Sequence, residues 1–350
     1  MYTDDDLNLA VENDVFTESS VNEFRIFIDS IKETHSADEE KFKLVTSFND
    51  VFVVIACFLL LLSVAFLFGI IDGGRGYGVT SGSLVLSGIS WCLAEVFVLK
   101  RRMALPGIFL LLTFSGGVFS SFYSFFLTIS DVPVFDISTG FPIIVATAGT
   151  AIFSLFHWFR FKVPITIAAA TISVLSLFLS IIFNVFTGAK DWLYVISFLF
   201  GVMSFLFAMH WDSADTHRIT YKADVAFWLH LLSAPLIIHP VFSGLGILDG
   251  NNDLSSMFIV ISLYILMSLV SIIIDRRAFM VSSLIYVIYA LYGIFSVLGN
   301  VAISFALTGI FIGTILLSLS AFWQQARSTL INKSPDFIKG RVPMLKTNKA

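Results

Sequence analysis

Residues 51–71 read VFVVIACFLLLLSVAFLFGII, from Val51 to Ile71, with no charged residue. A bilayer core of about 30 Å is crossed by roughly 20 apolar residues in helical form. Lipid offers no hydrogen-bond partners, so a spanning segment must satisfy its backbone internally, as a helix or in a closed barrel. This run is twice the length of a barrel strand and lacks in/out alternation, so it reads as a transmembrane helix.

Working outward from it, nine further runs of the same kind follow. The ten expected spans are 51–71, 79–99, 107–128, 141–159, 165–186, 192–210, 225–245, 257–274, 279–298 and 301–323. The composition agrees. Hydrophobic residues make up 57% and charged residues 13%, against about 45–50% and about 25% in soluble domains. Most soluble-enzyme readings are thereby removed, and nothing suggests nucleic-acid binding. The basic residues are dispersed, and no basic run is interleaved with aromatics.

The connections orient the spans. Lys100, Arg101 and Arg102 lie between spans two and three, Arg160 and Lys162 between four and five. Arg218 and Lys222 lie between six and seven, Arg276 and Arg277 between eight and nine. With the basic residues of both termini, 19 of the 21 Lys and Arg fall on one side, leaving Arg75 and Lys190 opposite. Such asymmetry marks the cytoplasmic side. The expectation is an all-α polytopic bundle with both termini in the cytoplasm. The opposite connections are short and carry Asp131, Asp136, Asp191, Asp249 and Asp253.

Three regions follow. Residues 1–48 read as a cytoplasmic module of amphipathic helices. Thr3 caps the first, Val21, Phe24, Phe27, Ile28 and Ile31 form a stripe on the second, and Ser36 with Glu39 makes a capping box for a third. Residues 49–325 form the transmembrane domain. Residues 326–350 read as a flexible basic cytoplasmic tail, broken by Pro335 and Pro343, that rests on anionic lipid. The N-terminus, with Asp4, Asp5 and Asp6, is unlike a signal peptide.

Spans one to four and seven to ten look alike. Asp50-Val51 opens span one and Asp224-Val225 opens span seven; Asp72-Gly73 and Asp249-Gly250 close them. Gly149-Thr150 and Gly313-Thr314 recur in spans four and ten. A duplicated unit read this way is parallel, because spans one and seven cross in the same direction. Repeats of this kind are common in transporters. Pro235 and Pro240 make span seven the candidate for a broken helix.

Ionisable groups inside a bilayer are costly and count as functional candidates. Glu95 lies about 7–8 Å from the inner boundary and His230 about 9 Å into span seven, at 1.5 Å per residue. His157 and His210 end spans four and six, so these four share one depth. His239 lies deeper, between the two prolines. Together they are the candidate solute- or ion-binding residues, weighed against ordinary interface chemistry of His and Trp beside headgroups. His210 and Asp215 also fit the H-x4-D spacing of some lipid acyltransferases, in which Asp orients a His base.

Other patterns carry less. Cys57 and Cys92 lie within spans and read as small packing residues. The run from Asp249 to Asp253 begins like a calcium loop but has Leu254 and Val260 where glycine and glutamate are required. No metal site and no cofactor is implied. Gly309-x-x-x-Gly313 permits close helix approach, inside the chain or in a homo-oligomer. Tyr286, Tyr289 and Tyr292 line one face of span nine.

The segments Phe48-Asn49-Asp50-Val51-Phe52-Val53-Val54-Ile55-Ala56 and Asp224-Val225-Ala226-Phe227-Trp228-Leu229-His230 resemble segments of uncharacterised polytopic inner-membrane proteins of proteobacteria. The resemblance implies a bacterial inner membrane and carries no site residues. Three function classes stay open: transport or permeation of a small solute or ion, a scaffold or sensor whose N-terminal helices meet a cytoplasmic protein, and a lipid-modifying enzyme.

Overall fold

A computed structural model describes residues 4–13, 15–24, 48–72, 77–129, 140–186, 188–218, 220–244, 254–296 and 301–344. The chain divides into two compact units, residues 1–44 with 346–350, and residues 45–345. In the smaller unit, Asp4–Glu12 is helical and a second helical stretch covers 18–24. Thr17 starts the latter by accepting from the Ser20 backbone N–H at 3.2 Å. Val21 is buried there. Thr3, Phe27, Ile28, Ile31, Ser36 and Glu39 lie outside the described residues.

The larger unit is an integral membrane domain. Ten helices are long and apolar enough to cross a bilayer: Phe48–Phe68, Val79–Lys100, Ala104–Ile129, Gly140–Phe161, Ile165–Val185, Ala189–Ser213, Tyr221–Ser243, Ser255–Ile274, Ala278–Phe295 and Val301–Ala321. Each expected boundary falls within four residues of these. Many hydroxyl side chains inside the spans bond back to their own helix, as Thr150 does to the Ala146 carbonyl at 2.7 Å. Such back-bonding is how a hydroxyl without a partner helix is satisfied in lipid.

Small residues bring neighbouring spans together. In span six, Gly201, Ser204, Ala208 and Asp212 form one buried stripe. A Cβ on Gly201 would meet the Ile237 backbone nitrogen and the Leu236 carbonyl carbon, each at 2.8 Å. The backbones of spans six and seven therefore nearly touch. Gly117 of span three does the same against span two, with the Ser83 carbonyl at 2.9 Å. By contrast, Cβ atoms on Gly309 and Gly313 would have no described neighbour within 4 Å, so the G-x-x-x-G face of span ten is not used within the described chain.

Four turns join even-numbered spans to the next span, and each holds a charged residue with positive φ: Arg102 at 51°, Lys162 at 54°, Arg218 at 55° and Asp275 at 55°. This left-handed conformation favours glycine and costs other residues about 1–2 kcal/mol. The four turns on this side thus share one local construction.

Two expectations change. Span seven is a single helix, Tyr221–Ser243, through both Pro235 and Pro240. Packing around a membrane helix tolerates the freed carbonyls without a break. Cys92 is exposed while Cys57 is buried. After residue 325 the described residues, 326–344, include helical structure. Trp323–Lys333 is helical, a short helix covers Asp336–Lys339, and Arg327 is among the most deeply buried side chains. Sequence pattern misses this because the segment is polar on the whole; its buried face alternates Trp323, Arg327 and Ile331, one turn apart, so a guanidinium interrupts what would otherwise read as an apolar stripe.

Candidate functional site

The last turn of span six carries Asp212. After a short turn, Thr220 caps span seven by accepting from the Lys222 N–H at 3.3 Å. His230 follows nearly three helical turns later. Span eight ends at Ile274, and the left-handed residue Asp275 turns the chain so that Arg276 points inward. The three side chains meet. His230 Nε2 donates to Asp212 Oδ2 at 2.8 Å, and Arg276 Nη2 donates to Asp212 Oδ1 at 2.7 Å. Arg276 Nε also reaches Asp212 Oδ2 at 3.4 Å, and Nη2 donates to the Ala223 carbonyl at 2.9 Å.

All three are sealed: the side chains of His230, Asp212 and Arg276 are 0%, 1% and 4% exposed. Arg276 is further held by the Phe227 ring, 6.0 Å from its guanidinium carbon. Its carbonyl accepts from the Ser271 hydroxyl. One carboxylate and one guanidinium cancel, so the group is neutral when the imidazole is neutral. Because Asp212 can only accept, Nε2 carries the hydrogen and Nδ1 is left with a lone pair. Nδ1 is buried and has no hydrogen-bond partner. The ring lies 5.5 Å from Phe205 and 6.4 Å from Phe279.

Beside this triad is a second charged group, at the turn. Asp275 accepts from Arg218 Nη1 at 2.8 Å and from the Trp323 indole at 2.8 Å, with Arg327 Nε at 3.8 Å. Arg218 Nη2 also caps the end of span eight through the Asp275 carbonyl at 3.0 Å. Arg327 in turn donates to the Pro343 carbonyl, and the Met344 N–H donates to the Thr216 carbonyl at 3.3 Å. The tail is thereby tied to both turns, six–seven and eight–nine. Burial raises the Asp275 pKa, but Arg218, Arg327 and the Trp323 bond outweigh it and hold the carboxyl below its ordinary value.

A pH dependence follows. A carboxyl whose folded pKa is depressed contributes stability above its unfolded pKa of about 3.9, and the contribution is lost as pH falls from there through the folded value. Asp275→Asn is therefore expected to unfold at lower temperature than wild type near neutral pH, with the gap closing as pH drops below about 4. Thermal unfolding in detergent at several pH values measures it; a gap that does not change with pH contradicts the assignment.

The expected site residues separate into distinct places. Glu95 opens a π-helical turn, Glu95–Lys100, at the end of span two. It accepts from Arg160 Nε at 2.8 Å and Nη2 at 2.7 Å. This bidentate pair is partly open, with side chains 32% and 53% exposed. His157 is buried on the same helix as Arg160, between Trp91, Phe114 and Phe161, with Thr166 Oγ1 3.4 Å from its Nδ1. His230 belongs to the triad. His210 is exposed. Asp215 Oδ2 is engaged by the backbone N–H and hydroxyl of Thr220, each at 2.7 Å, at the start of span seven. His239, toward the opposite end of span seven, has Nδ1 2.6 Å from the Tyr286 hydroxyl, and the Tyr286 ring stacks on Phe242 at 4.5 Å.

Sequence reasoning took Arg276 and Arg218 only as orientation signals and passed over Asp212. One signal was available: Asp212 continues the small-residue stripe of span six, so it sits on the face that meets span seven. No group of three or more His, Cys, Asp or Glu able to hold a metal occurs among the described residues. No family model, no curated protein and no solved structure matches the chain.

Proposed function

We propose that this integral membrane protein moves a small polar solute or ion across a bacterial inner membrane, with both termini in the cytoplasm. The observation that carries the reading is the sealed Asp212–His230–Arg276 triad. Asp212 and His230 lie within spans six and seven, where ionisable groups are rare and count as functional candidates by default. The triad lies where spans six, seven and the eight–nine turn converge, against a helix with two prolines. The charge sorting supports the orientation, and the parallel likeness of spans one to four and seven to ten supports a transporter architecture.

Purified protein in liposomes tests it. Uptake of protons (by entrapped pyranine), Na⁺, K⁺, amino acids and sugars is compared with empty liposomes. At least one flux is expected above background, and His230→Gln, which keeps a donor toward Asp212 but removes the protonatable nitrogen, is expected to change it. Folded protein that passes none of these probes contradicts the reading.

A second reading rests on a separate observation. In the small unit, Leu9, Val15 and Phe16 are exposed, as a scaffold or sensor meeting a cytoplasmic protein requires. Deleting residues 1–44 separates the two: a transporter's flux survives in the membrane domain, whereas a scaffold loses its partner.

A further inference from the structure

We infer that residues 322–344 form a docking surface for the anionic headgroups of the membrane leaflet beside them. Span ten ends at Ala321 and the tail helix begins at Trp323, so the segment starts at the bilayer surface. Arg327 is turned inward onto Asp275 and the Pro343 carbonyl. That leaves Lys333, Lys339 and Arg341 exposed, with Asp336 the sole acidic residue of the segment. Lys339 Nζ lies 3.1 Å from Asp336, so the exposed charge is positive on balance.

Apolar side chains accompany these cations. Phe337 is 66% and Met344 58% exposed, outside the spans where lipid contact is expected. The Arg341 guanidinium carbon stacks 4.1 Å over the Phe337 ring. Stacking occupies a guanidinium's face and leaves its N–H edge free for bidentate binding of a phosphate. A ring that enters the headgroup zone with a cation poised above it fits an anionic phospholipid. Water alone would leave the ring exposed at a cost. The tail's own anchor keeps this surface in place, because Trp323 and Arg327 fix it to the two turns.

The test uses the full chain in nanodiscs of phosphatidylcholine alone or mixed with phosphatidylglycerol, followed by hydrogen–deuterium exchange of residues 322–344. Exchange is expected to be slower in the anionic discs. Each cation near an anionic surface contributes about fivefold in partition, so Lys333→Gln, Lys339→Gln and Arg341→Gln are each expected to remove roughly that factor of protection at low salt. Phe337→Ala is expected to weaken it without abolishing the lipid preference. These side chains are exposed, so the variants are expected to fold. Equal exchange in the two lipids, or a triple variant that keeps the difference, overturns the inference. Protection produced by inorganic phosphate in neutral discs also overturns it, in favour of a soluble anion.

Discussion

Asp212→Ala is expected to destabilise the membrane domain by about 3–5 kcal/mol, the usual cost of removing one partner of a buried ion pair. The substitution leaves the Arg276 guanidinium without its carboxylate and the His230 Nε2 without its acceptor, both sealed from water. The loss of packing at Asp212 is small beside the uncompensated charge. Arg276→Met is expected to be equally costly for the mirror reason. The double variant Asp212→Ala with Arg276→Met removes both charges, and a substantial part of the stability is expected to return. A double-mutant cycle from thermal unfolding in detergent reads this directly. Strictly additive losses would mean that the two charges are independently hydrated, contrary to the geometry.

Gly201→Val is expected to cost at least about 3 kcal/mol, above the usual range for overpacking. The new Cβ meets the backbone of Leu236 and Ile237 at 2.8 Å, which no side-chain rotation relieves. Spans six and seven must then separate, pulling Asp212 from His230. Gly313→Val is the control. Its Cβ faces no described neighbour within 4 Å, so the change is expected to fall within about 0.5 kcal/mol, as for surface substitutions. If the two variants are equally stable, the close approach of spans six and seven is wrong.

Both predictions concern features of unequal legibility in the sequence. The ten spans are readable because hydropathy is a property of single segments and lipid forces helicity on each. The charge pattern is readable for the same reason, since it needs only a count per connection. The triad is not. It joins Asp212 to Arg276 across 64 positions of sequence, and nothing local to Arg276 distinguishes it from Arg277 next door. Arg276 is sealed, whereas Arg277 lies over the Trp323 ring at 5.1 Å. Which of two adjacent arginines turns inward is decided by the left-handed turn at Asp275, a conformation with no glycine to announce it. His230 was legible as an ionisable group in a span, because its burial follows from position alone. Glu95 was legible in the same way, yet its partner Arg160 is 65 positions distant and emerges only when spans two and four are packed together.

The Asp212–Arg276 pair also sets an order of events during synthesis. The two residues are 64 positions apart, and at roughly 5–20 residues per second the ribosome takes about 3–13 s to pass from one to the other. Throughout that interval the sixth helix has been made while its carboxylate lacks the Arg276 guanidinium that it pairs with in the finished fold. Until the eighth helix and its turn have emerged, the sealed environment that Arg276 gives Asp212 is incomplete. The core of this membrane domain around span six is therefore closed only after span eight has been made. Its sixth helix is completed by a residue the ribosome has yet to deliver, which makes late assembly a built-in stage of its biogenesis.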